Sequence, residues 1–534
     1  MIEYDDVTSA TAGSLADLLR YGRTQVGRKG YGTIELRERA MQMRKPLDRF
    51  LFIPGRGNDP FASIAETIWV LAGRDDIGWL SSYLPRAHEF SDDGATWRAA
   101  YGPRLRNWHG DDPLANVVRL LRDEPSTRRA VLSLFDSSVD YADTLDVPCT
   151  TTIQFMIRDN RANATVTMRS NDVWWGLSGI NAFEWSVLLE AVALWTGTQV
   201  GTLTFFAGSF HLYEQHREKA VAALSRYEGA TPYETASISR SRFETPFARF
   251  DETLERFFAA EADIATNPDK KPANTGDGLL DDFLAMLRVK RAFEDDATSS
   301  ELAEMVNDML ATDVAAAAAE WISRTKPDVI DAMRPGPVRS FLKEYRTASD
   351  DHRETTDALQ EAISRLHRRK DKAYGAAWKK RGEARSIIPN VARKIDRLEN
   401  FAQRGDEMGD ESLLDTAVDT LVYVVKHMLY LRDDLERGGS EGLLLQDAPN
   451  AFDDALGEFL SEAEPVSDLV RTIEAAVTSF EEVDEHERDG GPAEDRLKLV
   501  HVLAKIAAVL VLSISKEHEL QTTLLIADER RMSR

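Results

Sequence analysis

The feature that most narrows the fold is a pair of alternating β-prone runs, residues 150–158 and 162–169, hinged at Asp159-Asn160-Arg161. The first run, Thr150-Thr151-Thr152-Ile153-Gln154-Phe155-Met156-Ile157, is dense in β-branched and aromatic side chains, and two antiparallel strands are expected. Immediately ahead stands Val147-Pro148-Cys149, and Cys149 is the only cysteine in 534 residues. A lone thiol forms no intramolecular disulfide. It is either buried filler or a nucleophile.

The flanking chain is patterned around this hairpin. Arg128-Arg129 leads into an apolar strand, Ala130 to Phe135. Phe183 to Thr196 reads as a helix, and Gly201 to Phe206 as a strand that leads on to His211-Leu212-Tyr213. Upstream, residues 10–27 read as an amphipathic helix with Leu15, Leu18 and Leu19 on one side. The loop Gly27-Arg28-Lys29-Gly30-Tyr31-Gly32-Thr33 is Gly-rich and basic, which alone means no more than a turn. Ala62–Leu71 and Ile77–Leu84 are expected to be helical.

Length calls for two or three domains, and 43% hydrophobic with 29% charged residues is a soluble globular composition. A net charge of −24 argues against a general nucleic-acid surface, although a few arginines suffice for one mononucleotide phosphate. No uninterrupted apolar run approaches the roughly 20 residues of a membrane span. The acidic start, Met1-Ile2-Glu3-Tyr4-Asp5-Asp6, lacks a signal-peptide pattern, so a cytoplasmic location is expected.

Taken in order, Pro148-Cys149, Gln154, Arg169-Ser170-Asn171-Asp172, Asn181 and His211-Leu212-Tyr213 resemble the motifs of the thymidylate synthase family, over residues 10–250. The resemblance implies an α+β thymidylate synthase-type domain followed by an all-α helical region. It implies Cys149 as nucleophile, with Glu66, Tyr101 and Asp172 as further catalytic groups. Arg28, Arg128, Arg129 and Arg169 become the phosphate shell; Gln154, Ser170 and Asn181 the other nucleotide contacts; His211 and Tyr213 the ribose contacts. It also implies methylene-tetrahydrofolate as donor and a homodimer in which Arg128 and Arg129 serve the neighbouring subunit.

The chemistry explains the grouping. C5 of uracil is a poor nucleophile, and a thiolate adding at C6 makes it an enolate able to attack a one-carbon donor. Neighbouring arginines lower a thiol pKa and grip phosphate through forked geometry. Glu66 lies between apolar neighbours in Ile64-Ala65-Glu66-Thr67-Ile68-Trp69, and burial would raise its pKa toward acid–base work. Tyr101, in Trp97-Arg98-Ala99-Ala100-Tyr101-Gly102, is expected to remove the C5 proton. Trp174 and Trp175 either line a pocket or pack in the core.

Three departures from the family stand out. Thr150 follows the nucleophile where the family has His. Gly176-Leu177-Ser178-Gly179-Ile180-Asn181 is one residue longer than the usual Gly-x-Pro-Phe-Asn. The chain continues from residue 250 to 534 in place of a short apolar tail that closes over the folate. The expected reaction is one-carbon transfer to C5 of a pyrimidine deoxynucleoside monophosphate, dUMP to dTMP. A leakier site would let water intervene and give hydroxymethylation of dUMP or dCMP instead. Relatives acting on cytosine carry Asp at the base-reading position, so Asn181 favours uracil.

Beyond residue 250 the sequence divides at Asn267–Gly278 and at Pro327, Pro335 and Pro337. Expected divisions are a helical linker at 251–345, a second domain at 346–440 and a C-terminal bundle segment at 441–534. The second domain, with Lys370–Trp378, Asn390–Asn400 and Glu411–Tyr423, is similar to nucleotide-modification-associated and MazG-like helical domains. Glu411, Asp415 and Asp419 share a helix face and are expected to hold Mg²⁺ on nucleotide phosphates, making the chain bifunctional. A non-catalytic scaffold is the alternative. The apolar helix Leu497–Ile514 carries Lys498, His501 and Lys505 and is expected inside a bundle.

Overall fold

The computed structural model describes residues 1–26, 31–235, 237–350, 355–374, 383–404, 412–437 and 449–532. The chain forms two compact units, Met1–Asp350 and Asp351–Arg534.

The first unit is built on a mixed sheet of seven strands: β1 (Ile2–Tyr4), β2 (Arg23–Val26), β3 (Gly32–Met43), β4 (Val131–Ser133), β5 (Thr150–Arg158), β6 (Arg161–Asp172) and β7 (Gln199–Tyr213). Their spatial order is β1-β3-β7-β6-β5-β4, with β2 also paired to β3. The expected hairpin is β5–β6. Its two linking residues, Asp159 (φ 50°) and Asn160 (φ 57°), both take the left-handed conformation that matches strand twist in a two-residue turn. β6 and β7 run parallel, so their connection has to cross over the sheet. A π-helix (Val173–Asn181) and α6 (Ala182–Trp195) make that crossing.

Period-two alternation on β6 and β7 puts Ala162, Ala164, Val166, Met168, Leu203, Phe205 and Ala207 into the core. Helix α6 covers them and is buried on nearly every side, which is why its sequence is apolar all round. Helix α1 (Val7–Tyr21) opens with a capping box: Asp6 accepts from the Ser9 amide at 2.8 Å, and the Ser9 hydroxyl accepts from the Asp6 amide at 3.1 Å. It stops six residues short of the expected end. A Cβ at Gly22 would lie 2.4 Å from both the Leu18 carbonyl oxygen and Ile34, so only glycine lets the chain leave the helix beside β3. Helix α2 (Pro60–Leu71) starts at Asp59, which accepts from the amides of Phe61 and Ala62, with Pro60 in the first turn. Helix α3 (Ile77–Leu80) is shorter than expected; α4 (Tyr101–Arg106), α5 (Pro113–Asp123) and α7 (Arg217–Ser225) complete this part.

The segment expected as a linker is instead part of the first unit. Its helices α8 (Phe250–Thr266), α9 (Gly278–Glu294), α10 (Ser299–Asn307), α11 (Asp313–Ser323), α12 (Val329–Ala332) and α13 (Pro337–Asp350) pack into the same core. Phe283 meets Phe183 of α6 with centroids 5.7 Å apart, and Phe341 meets Phe52 at 5.5 Å. Buried Glu261 accepts from Trp79 Nε1 at 2.7 Å, from the Tyr83 hydroxyl and from Arg291. Even the Pro- and Gly-rich stretch before α9 is tied down, because Asp277 accepts from the Thr245 hydroxyl at 2.6 Å and caps the helix at Leu280.

The second unit is helical: Thr355–Tyr374, Ile388–Arg404, Leu413–Arg437, Pro449–Glu462, Leu469–Arg488, Ala493–Glu517 and Glu519–Met532. Leu359, Ile395, Leu421, Phe459, Val500 and Leu510 belong to one apolar core. The two divisions expected at 346–440 and 441–534 therefore share their interior. Helix Ala493–Glu517 is long and apolar enough to cross a membrane, and its Val500, Leu503, Ala507 and Val511 face this core.

Candidate active site

Cys149 lies just before β5, at the end of the sheet where β6 and β7 finish. Antiparallel pairing brings Arg169 of β6 back to it, and the Arg169 amide donates to the Cys149 carbonyl at 2.9 Å. The guanidinium then grips the Pro-Cys corner: Nε donates to the Pro148 carbonyl at 3.0 Å, and Nη2 to Val147 at 2.7 Å, with the Cys149 sulfur 3.5 Å away. Burial pushes the thiol pKa up; Arg169 opposes that, while Asp146 and Asp172 add to it. Among the described residues, Arg169 is the member of the proposed arginine shell that reaches the sulfur, and the thiol pKa stays raised by burial despite its charge.

The parallel pairing of β6 with β7 places Asp172 opposite His211, with Ser170 opposite Ser209. Asp172 accepts from the amides of Trp174 (3.2 Å) and Trp175 (2.7 Å) and so caps the π-helix. Burial raises its pKa, and His211 and Arg56 counter the rise. His211 is buried, its ring 5.3 Å from that of Tyr213, and burial lowers its pKa. Trp174 is core, stacked on His216 at 5.4 Å, whereas Trp175 is 49% exposed.

Two further carboxylates, Glu66 and Asp146, act on one another, and Asp146 acts on Cys149. Glu66 of α2 is pushed up to about 7, by burial first and then by the nearby Asp146 charge. Asp146 is held by Trp97 Nε1 at 2.9 Å. Tyr101, at the start of α4, accepts from the Thr150 amide at 2.9 Å and packs against Trp185, centroids 5.3 Å apart. Burial, then the Cys149 charge, raises its pKa far enough that Tyr101 stays protonated.

The longer segment before Asn181 forms a π-helix, whose turn holds one more residue than an α-helical turn, and α6 follows it directly. Asn181 stays buried, and its Nδ2 donates to Asn171 Oδ1 at 3.1 Å. Gly176 faces this pair, and a Cβ there would come within 2.7 Å of Asn171 Oδ1. Asn171 Nδ2 and Thr150 Oγ1 are buried without a partner among the described residues.

The sequence profile described as thymidylate synthase matches residues 13–255. Three phage proteins named deoxyuridylate hydroxymethyltransferase are similar. That of Bacillus phage SP01 is 36% identical over 191 residues, 34% of this chain and 50% of its own length. That of Pseudomonas phage M6 is 32% identical over 295 residues, 53% of this chain and 82% of its own length. This chain belongs to the thymidylate synthase family. A third, from Delftia phage PhiW-14, is 31% identical over 225 residues, 40% of this chain and 62% of its own length. The chain thus spans about half of the SP01 relative and most of the M6 relative.

Against the family motifs, the structure gathers Cys149, Glu66, Tyr101, Arg169, Ser170, Asp172, Asn181, His211 and Tyr213 around one end of the sheet. It does not bring Gln154 there: its amide donates to the Arg128 carbonyl at 2.9 Å, because β5 carries it away from Cys149 to pair with β4. Arg128 and Arg129 are exposed, and Arg129 pairs with Glu124. Arg28 lies outside the described residues. Residues that motif reading missed are Asp146, Asn171 and Glu184, the last signalled only by a charge inside an apolar helix.

In the second unit, Glu411 lies outside the described residues. Asp415 accepts from the Ser412 hydroxyl, and Asp419 is flanked by Lys370 (2.9 Å) and Lys394 (2.8 Å). Lys370 and Lys394 offset the Asp419 charge, and its pKa is lowered despite burial. Among the described residues no three His, Cys, Asp or Glu side chains gather as a metal site.

Proposed function

We propose that the first unit transfers a one-carbon unit to C5 of dUMP and releases the 5-hydroxymethyl nucleotide. The observation that carries the reading is the Arg169 clamp on Pro148-Cys149, beside Asp172, His211 and Tyr213. The names of the three phage relatives support hydroxymethylation over methylation. The orphaned Asn171 amide supports uracil, since an N–H can donate to O4, whereas cytosine presents another donor there.

Methylene-tetrahydrofolate fits the donor set: the exposed Trp175 indole offers a stacking face beside the Asp172 carboxylate, and these two would hold it. When bound it supplies the one-carbon unit. The chain's own residues do the rest. Arg169 stabilises the Cys149 thiolate, which adds to C6 and makes C5 nucleophilic. Asn171 and Asn181 orient the base, His211 and Tyr213 the sugar. The protonated Tyr101 hydroxyl lies where it can hold a proton near the sulfur. Arg128 and Arg129, exposed here, would complete the phosphate site of a second copy of the chain. For the second unit we favour an interaction role over Mg²⁺-dependent pyrophosphate release, because Asp419 is already neutralised.

The test is the mass of the nucleotide made from dUMP and methylene-tetrahydrofolate by the full chain. Hydroxymethyl-dUMP that requires Cys149 is expected, and Cys149→Ser should yield none. A methyl product, or a preference for dCMP, would overturn the assignment.

A further inference from the structure

Glu184 sits in the first turn of α6 and is 1% exposed. Neither of its carboxyl oxygens has a hydrogen-bond partner among the described residues. Buried carboxyls are almost always bonded, so such a group points to something the fold keeps it for. Its surroundings say what. Helix α2, which carries Glu66, packs on α6, and the next residue, Trp185, touches the ring of Tyr101. Tyr101 in turn holds the amide after Cys149. Trp185 Nε1 is likewise buried without a partner among the described residues. Burial and then the Glu66 charge hold the Glu184 carboxyl well above the ordinary carboxylate range.

Resting on the hydroxymethylation reading above, we propose that Glu184 is a positioning residue: its carboxyl, unpartnered in the nucleotide-free chain, turns onto the Glu66 carboxyl in the loaded site and fixes Glu66 as the base for the water that becomes the hydroxyl group. The step balances without an oxidant or reductant. Water oxygen bonds to the exocyclic methylene carbon on C5 while a water proton passes to Glu66. The electron pair of the exocyclic double bond moves into the ring enolate. Its return restores the C5–C6 double bond and expels the Cys149 thiolate, which then recovers a proton by way of Glu66. Two carboxyls sharing one proton suit this, because the protonated partner orients the ionised one.

The experiment compares Glu184→Gln, which keeps an N–H donor, with Glu184→Leu, which keeps only bulk, in the full chain and in oxygen-18 water. Expected for Glu184→Leu is a loss of labelled hydroxymethyl product on the order of ten- to a hundred-fold, as misplacing a catalytic group costs. KM for dUMP should stay within about twofold, since Glu184 acts through Glu66 and not on the nucleotide. Glu184→Gln should retain activity within several-fold of the parent. In ligand-free protein at pH 8, where Glu66 is ionised, the infrared band of the protonated Glu184 carboxyl should disappear in both variants, and the melting temperature of Glu184→Leu should not fall. Unchanged labelled product in Glu184→Leu would overturn the proposal. So would equal losses in both variants accompanied by lower melting temperatures, which is the signature of a merely structural residue. Parent protein that makes only the methyl nucleotide would overturn the hydroxymethylation reading itself, and the parent's product alone distinguishes that failure from the others.

Discussion

Arg169 is the one cation at the Cys149 sulfur among the described residues, so Arg169→Ala should raise the thiol pKa further. Iodoacetamide labelling at neutral pH should slow by about tenfold for each pKa unit. Glu66 supplies a pH test. Its folded pKa of about 7 exceeds the carboxylate value of 4.5, so between those values the folded chain holds a proton that the unfolded chain has lost. Stability attached to this group therefore falls as pH rises through that window. Glu66→Gln, facing Glu184 and Asp146, should leave the melting temperature nearly unchanged at pH 4.5 and raise it at pH 8, while product formation is lost. Most of these residues were legible: Cys149, Arg169, Asp172, His211 and Tyr213 announce themselves by order and spacing. Glu184 was not, because its importance lies in missing partners, and partners are a property of packing. Gln154 is carried off for a related reason: a strand moves a side chain about 3.3 Å per residue, so five residues take it away from the thiol toward Arg128.

At the scale of elements, the β5–β6 hairpin and α6 follow from local pattern, since alternation and an apolar run need no distant partner to be recognised. Strands β1 and β2, at three and four residues, exist only because β3 pairs with them, and nothing local marks them. The π-helix was visible only as an insertion. It gives a prediction that belongs to the element: Gly176→Ala should drive a methyl into the Asn171–Asn181 pair. Overpacking of this kind costs about 1–3 kcal/mol, read by denaturant unfolding, and KM for dUMP should rise as the base contacts separate.

At the scale of the whole molecule, the family's sheet extends into helices that ordinary motif reading assigns elsewhere. A chain cut after residue 250 would strip Phe283 from Phe183 and Glu261 from Trp79 and Tyr83, and should be insoluble. A chain cut after residue 350 should be soluble and should retain Cys149 labelling, which size-exclusion chromatography and mass spectrometry would check. In the second unit, Asp419→Asn would remove the carboxylate that Lys370 and Lys394 both contact and should destabilise the chain by about 1–3 kcal/mol. Millimolar Mg²⁺ should not restore that loss in a thermal scan. The strand order also carries a consequence for how the nucleophile comes into being. Cys149 and Arg169 share one hairpin, whereas Asp172 meets His211 only after the long crossover has closed. Loop closure favours the hairpin as the earlier event. During refolding the thiol therefore acquires its arginine before it is desolvated, and a half-assembled chain is the form in which it is most reactive toward electrophiles.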